Sequence, residues 1–371
     1  MTNVVIVGCG VVGAAIAYEL SDVEGLAVTV IDRQQPAQAA TGAALGVLMA
    51  VISQKTKGNN LRMRLTGIER YNAWIPALEA ITGQTILFNK HGLLRLCFEG
   101  EPLERWHQLV AIRRSQGFQL EMLDRAQLAA NYPQLGLQRV TAAVYSPDDR
   151  QVDPTALTQA LVVAAAQKGV TFQFDTTVNG VERSDRSHLL SETASQQCQQ
   201  VYTTSGSLPA DWLVIAAGLG STPLTAALQQ PVDLRPVLGQ AIHMRLPKAI
   251  EQPQLQPVIT GEDVHIVPLG QGEYWIGATV EFPTGTIAST PAATALETVM
   301  QQAIALCPAF SEAAIIRAWS GLRPRPEGRP APIVGPLPGY SNVLLATGHY
   351  RNGVLLAPAT AEKIRQLIGI G

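Results

Sequence analysis

The sequence predicts an α/β fold of two domains: a parallel sheet flanked by helices, and a mixed sheet assembled from segments far apart in the chain. Three observations carry this expectation. The chain opens with a β-branched run over 3–8, a turn punctuated by Gly8, Gly10 and Gly13, an apolar stretch over 14–20, and a second β-branched run that ends at Asp32. That order is a strand–helix–strand unit. The chain's 371 residues are 47% hydrophobic and only 15% charged, enough to bury two cores. No Pro/Gly/Ser-rich linker divides it, so the two domains are expected to interleave in sequence.

The remaining elements follow from pattern. Leu61, Leu65, Ile68, Ile75 and Leu78 fall near helical spacing and predict a helix over 61–82. Helices are also expected over 103–116 and 154–168, the second opened by Asp153 as N-cap and Pro154 at the first helical position. Strands are expected over 170–174 and 211–216, with a polar, Ser- and Gln-rich hairpin over 183–206 between them. The alternation over 257–282 reads as strands joined by a Gly270-Gln271-Gly272 turn. Thr290-Pro291 is expected to open a helix ending before Pro308. Residues 323–339, rich in Pro and Gly, are expected as loop, followed by a strand over 343–347 and a closing helix over 359–368.

Composition excludes several classes. The net charge is −2 with no basic run, which argues against a nucleic-acid partner. Cys9, Cys97, Cys198 and Cys307 are scattered singly, so no zinc site or disulfide framework is indicated, and free thiols suit a cytoplasmic location. No apolar run is long enough to span a membrane, and Met1-Thr2-Asn3 lacks the basic start of a signal peptide.

Five constellations could carry chemistry. In Gly8-Cys9-Gly10-Val11-Val12-Gly13, the first glycine permits the tight turn, the second admits a pyrophosphate to the backbone, and the third lets the helix approach the sheet. Asp32, nineteen residues beyond Gly13, stands where a carboxylate takes ribose hydroxyls. This Rossmann-type unit marks a dinucleotide site without separating FAD from NAD. Ala40-Thr41 through Leu45-Gly46-Val47 is a small-residue loop able to bring backbone N–H groups to a cofactor, or simply a loop. Asp211 to Gly218 reads as a strand ending in small residues, where ligands bind in such sheets. In Trp319-Ser320-Gly321-Leu322-Arg323-Pro324-Arg325-Pro326, the Arg323 guanidinium suits a carboxylate, although a structural ion pair is the commoner role for one arginine. Gly348-His349-Tyr350-Arg351-Asn352-Gly353 runs from a strand into a helix start, whose amides favour electron-rich atoms. His265 lies on an expected strand, and its residue pattern alone favours a core histidine over a cleft residue.

Taken together, these motifs resemble the FAD-dependent amine and D-amino-acid oxidase family, most of all its glycine-oxidase branch, associated with thiamine biosynthesis. The most specific piece is Gly348 to Thr360, then Ser320-Gly321-Leu322-Arg323-Pro324, Gly277-Ala278-Thr279-Val280 and Arg235 to Gln240. The resemblance implies a FAD-binding domain over 1–82, 145–225 and 325–371, and a substrate domain over 83–144 and 226–324. It implies non-covalent FAD, since no cysteine lies in 308–371. Val11 and Val12 would lie beside the pyrophosphate, Asp32 and Arg33 at the adenosine ribose, and Val178 at the adenine. Ala40, Thr41, Leu45, Gly46 and Val47 would line the flavin, with Gly218 nearby, and His349 to Leu355, including Val354, would wrap its edge. Arg323 would bind the substrate carboxylate, Arg351 would sit on the substrate side, and His265, where the branch carries a tyrosine over the substrate, would complete the catalytic set. The implied reaction is oxidation of the Cα–N bond of glycine or a small D-amino acid by hydride transfer to flavin N5, with oxygen as acceptor. A quinone acceptor, as in a D-amino-acid dehydrogenase, a non-autonomous flavoprotein subunit, and a homo-oligomer stay open.

Overall fold

A computed structural model of the chain describes residues 1–185, 195–248, 256–283 and 292–369. Its first layer is a six-stranded sheet. Val343–Thr347, Trp212–Ile215, Thr2–Val7, Leu26–Ile31 and Thr171–Gln173 run parallel in that order, and Ile333–Pro336 pairs antiparallel at one edge. These strands are nearly continuous hydrophobic runs because both faces are covered. Val4, Ile6, Val30 and Val214 pack against helices Val11–Leu20, Pro154–Gln167 and Gly353–Ile368. Val5, Val7, Leu213 and Leu345 pack on the other side against a three-stranded antiparallel layer formed by Val178–Asp185, Gln196–Thr203 and Gly206–Pro209. The start of helix Pro154–Gln167 is as expected: the Asp153 carboxylate accepts from the amides of Thr155 and Ala156, at 2.8 and 3.1 Å.

The second layer is an eight-stranded mixed sheet. Its order is Ala314–Pro326, Leu234–Arg245, Glu273–Gly277, Val264–Gly270, Val258–Gly261, Leu93–Phe98, Val140–Ser146 and Glu121–Asp124, antiparallel except where Val258–Gly261 meets Leu93–Phe98. Alternation splits its residues between two faces. Ile242, Met244, Ile259, Ile266, Tyr274 and Ile276 pack with helix Ala293–Leu306. Ala241, Val258, Val267 and Trp275 share a cluster with Leu45, Val51 and Ile52 from the small-residue loop and the turn after it.

Three expectations change. Residues 323–339 are not all loop: Arg323 to Pro326 continue the strand Ala314–Pro326, and Ile333–Pro336 is itself a strand. Both lie at sheet edges, where the N–H that proline lacks is not needed by a ladder partner. The closing helix starts at Gly353 rather than 359, and Pro358 lies inside it. The polar hairpin is part of a three-stranded layer, and residues 186–194 lie outside the described residues. The expected helix start at Thr290-Pro291 also lies outside them, while the helix runs Ala293–Leu306.

Pro358 has a physical compensation. It cannot bond the Val354 carbonyl four residues back. The Tyr71 hydroxyl donates to that oxygen instead, at 2.5 Å, with both groups buried. The helix carrying Tyr71, Asn59–Thr82, comes this close because a side chain at Gly67 would overlap the Leu355 carbonyl. Tyr71→Phe should therefore lower unfolding free energy by about 1–3 kcal/mol, the cost of a buried unpaired carbonyl, read from urea denaturation.

Candidate active site

The carboxyl ends of the parallel strands bring the first, second, third and fifth constellations to one edge of the sheet, where ligands bind in such folds. Gly8 has φ +107°, and a Cβ there would stand 2.5 Å from the Ala216 carbonyl oxygen. A Cβ at Gly13 would overlap the Gly8 carbonyl. Around Gly10 the nearest atom is the Thr41 hydroxyl, 3.0 Å from where a Cβ would be, so the turn is open on that side. Helix Val11–Leu20 has no side-chain cap. Val11 N–H donates to Thr41 Oγ1 at 3.0 Å, and the next amides, of Val12 and Gly13, have no acceptor within the helix. Asp32 accepts from the amides of Cys9 (2.6 Å) and Gln34 (3.0 Å), and each carboxylate oxygen keeps capacity for another donor. Arg33 is exposed beside it. The Thr176 amide donates to the Asp32 carbonyl at 3.0 Å, which brings the half-buried Val178 to the same end. Open glycine cradle, uncapped helix start and adjoining carboxylate fit the pyrophosphate and ribose of a dinucleotide.

Beyond Thr41 the small-residue loop is locked from beneath. Gly46 has φ +71°, and a side chain there would overlap the Val152 carbonyl. Gln151 Nε2 donates to the Leu45 carbonyl at 3.0 Å, and Val47 pairs with Gln151. The turn that follows is held by two fully buried charges that sequence reasoning missed. Asp149 accepts from the amides of Ala50, Val51 and Ile52 (2.6, 2.9 and 2.8 Å). Arg113 donates to the carbonyls of Val51, Ser53 and Lys55 (2.6, 2.7 and 2.7 Å). Burial pushes the Asp149 carboxyl up, and its amide hydrogen bonds pull it back.

The mixed sheet supplies the facing wall. One row of paired residues runs across it: Thr260, His265, Gly277, Ala241, Trp319. Arg323 lies on the same face, four residues past Trp319. Its Nη1 donates to the carbonyls of Leu238 (3.1 Å) and Thr279 (3.0 Å), while Nε and Nη2 have no acceptor among the described residues. Thr279 is fixed by Glu281, which accepts from the Thr279 hydroxyl (2.5 Å) and from buried Gln240 (2.7 Å). The guanidinium lies over Gly239, where a Cβ would overlap it. Gly239, Thr279, Gln240 and Glu281 were not singled out as site residues from the sequence; only the register reveals them.

The fifth constellation meets the fourth at Gly348, with φ +65°, where a Cβ would stand 2.7 Å from the Pro326 ring. Gly218, with φ +55°, adjoins it: its carbonyl accepts from the Thr347 hydroxyl at 3.3 Å. Tyr350 is also left-handed at φ +54°, at a cost of about 1–3 kcal/mol. This kink places its phenol near enough to Arg323 to oppose the lowering of that guanidinium's pKa, which burial and then Arg351 cause. Arg351 is exposed. Asn352 closes the turn, its amide donating to the His349 carbonyl at 3.0 Å, and helix Gly353–Ile368 begins without a side-chain cap, so the first amides, from Gly353 to Leu355, have no capping side chain. The His349 imidazole is buried and bonded to Thr360 Oγ1 at 2.9 Å, so only its backbone is left to face a cofactor.

His265 shares the face of Arg323, and its Nδ1 is inaccessible and has no partner among the described residues. Burial, then Arg351, with Arg323 adding to it, pull its pKa down to about 4 against the pull of Asp263. Burial alone brings His349 to about 4. Both folded values lie below the ordinary histidine range near 6.5. Between these limits the unfolded chain binds more protons, so stability rises with pH from about 4 to 6.5 and falls on acidification through that window. His349→Gln should remove about one proton from the slope of urea-unfolding free energy against pH in that interval.

Comparison with known proteins agrees with this geometry. Residues 3–367 match the family described as FAD dependent oxidoreductase (DAO). The chain belongs to the DAO family of FAD-dependent oxidoreductases. It is 35% identical over 370 residues to the bifunctional protein ThiO/ThiG of a Synechocystis species, covering 99% of this chain and 51% of that protein. The chain thus spans about half the length of the ThiO/ThiG relatives it matches. It is 29% identical to the glycine oxidase of Geobacillus kaustophilus over 99% of this chain and 92% of that one. The crystal structure of glycine oxidase from the same organism superposes with a TM-score of 0.87 at 28% identity, covering 100% of this chain and 95% of that chain. Membership of the DAO family assigns the dinucleotide as FAD, which the first motif left open. Among the described residues, no helix is long and apolar enough to cross a membrane.

Proposed function

We propose that the chain oxidises the Cα–N bond of glycine or a comparably small amino acid, with FAD bound non-covalently between the parallel sheet's edge and the mixed sheet. The observation that carries this reading is Arg323: a guanidinium anchored by two backbone carbonyls on one side, with Nε and Nη2 unpaired among the described residues. That free edge matches the two oxygens of a carboxylate. Arg351 adds a second positive charge near it, and the imidazole of His265, neutral above about pH 4, shares the same wall. Gly277 and Ala241 lie between His265 and Trp319 and give the wall a low floor suited to a small Cα substituent.

FAD, when bound, supplies the acceptor for the hydride leaving Cα. The protein's part is position. Arg323 fixes the carboxylate and so limits where Cα can point. Helix Gly353–Ile368 offers uncapped amides and the positive end of its dipole to electron density at the cofactor's edge. Among the described residues none stands out as a base for the substrate amine, so we expect the amine to lose its proton before hydride transfer. The other assignments from the resemblance belong to this reading. Val11, Val12, Asp32, Arg33 and Val178 serve the adenosine diphosphate end. Ala40, Thr41, Leu45, Gly46, Val47, Gly218 and Gly348 to Leu355 serve the ring end. We also take 1–82, 145–225 and 325–371 as the FAD-binding domain and 83–144 and 226–324 as the substrate domain. In support, the parallel sheet is drawn from the first set and nearly all the mixed sheet from the second.

The test is an anaerobic amino-acid panel on the flavin-loaded protein. Glycine or a small D-amino acid should bleach the visible flavin band, and oxygen should restore it with hydrogen peroxide formed. Bleaching that only a quinone reverses would replace oxygen as the acceptor. A band unmoved by any amino acid would refute the activity.

A further inference from the structure

The strand Ala314–Pro326 does more than carry Arg323. Trp319, Gly321 and Arg323 share one of its faces, and the first two touch Ala43, in the middle of the small-residue loop. Trp319 Nε1–H donates to the Ala43 carbonyl at 3.1 Å. A Cβ at Gly321 would overlap the Ala43 Cβ, so the missing side chain sets how near the loop can come. The indole is held in turn, with the Arg317 guanidinium 4.7 Å above its ring and Trp275 edge-on at 6.1 Å. From Ala43 the contacts continue to the helix start: the Ala44 amide donates to the Thr41 carbonyl at 3.1 Å, and the Thr41 hydroxyl accepts from the Val11 amide at 3.0 Å.

We propose that Trp319 and Gly321 are positioning residues that fix the gap between the FAD-binding loop and the strand bearing Arg323. The inference rests on the reading of 40–47 as the loop that lines FAD. The carboxylate anchor and the cofactor loop then move as one unit, and the indole N–H and the bare Gly321 define its spacing. On its one paired side the strand is tied to the sheet through Gly321 and Gly239, and Gly239 lies beneath the Arg323 guanidinium.

The experiment titrates FAD into flavin-free protein and follows the dissociation constant and the visible spectrum, with thermal unfolding as control. Gly321→Ala should weaken FAD binding at least about tenfold by overpacking against Ala43. The double variant Gly321→Ala/Ala43→Gly, which removes the opposing methyl, should recover most of that loss. Trp319→Phe keeps a ring but loses the N–H, and should weaken FAD about two- to tenfold with an altered flavin spectrum and near-normal thermal unfolding. Wild-type protein that binds no FAD would sink the underlying reading. Wild-type protein that binds FAD, with Trp319→Phe matching it in affinity and spectrum, would overturn the positioning role. So would a double variant no better than Gly321→Ala. If Gly321→Ala does not fold, recovery of folding in the double variant counts for the steric fit, and Trp319→Phe decides the rest.

Discussion

Arg323→Ala should raise KM for glycine by about 30- to 5000-fold, equivalent to the 2–5 kcal/mol lost when one partner of a desolvated charge pair is removed. The mechanism is specific. In wild-type protein the guanidinium is oriented before substrate arrives, because Leu238 and Thr279 hold Nη1 by their carbonyls. The free edge then meets a carboxylate without reorganisation. Burial and the nearby Arg351 hold the Arg323 pKa below its ordinary value, so an arriving anion also relieves repulsion between two cations. Lysine should recover only a small part of the loss. Its ammonium is a point charge that cannot bond two backbone carbonyls and present a planar fork together. A small amine without a carboxylate serves as control. Its weak turnover should change little in Arg323→Ala, whereas an equal fall for both substrates would show that the variant disturbs the cofactor rather than carboxylate binding.

How much of this was readable in the sequence differs between the two sheets. The parallel sheet was legible because its determinants are local. The run over 3–8, the three glycines and Asp32 lie within one strand–helix–strand unit, and a continuous β-branched run needs no partner to be recognised. Misreadings came where a local rule depended on distant context. Proline over 323–339 says loop until it is known that both segments are edge strands. The helix expected over 359–368 can start earlier, at Gly353, because Tyr71 supplies the hydrogen bond that Pro358 cannot make. His265 illustrates the same limit at the site. Its neighbours alone suggest a core residue, the family resemblance sets it on the substrate side, and the pairing with Gly277, then Ala241, then Trp319 gives it the face of Arg323. Asp149 and Arg113 left no signal, since a buried charge is recognisable only by the backbone groups it satisfies.

Gly239→Ala should reproduce much of the Arg323→Ala phenotype without touching a group that contacts substrate. The Cβ built at position 239 falls 2.5 Å from the guanidinium carbon of Arg323, a separation that real Cβ atoms do not show. Something must move. Strand Leu234–Arg245 is paired on both sides, with Ala314–Pro326 and with Glu273–Gly277, so its backbone resists displacement. Arg323 is long and rotatable, so its head group should leave the slot and break its bonds to Leu238 and Thr279. Two features separate this outcome from general damage. FAD affinity should stay near normal, because the loop over 40–47 contacts Trp319 and Gly321 rather than Gly239. Combining Gly239→Ala with Arg323→Ala should add little to either single loss, since two changes that disable one group are not additive. Fully additive losses in KM would mean that Gly239 acts elsewhere and that the guanidinium tolerates the extra methyl.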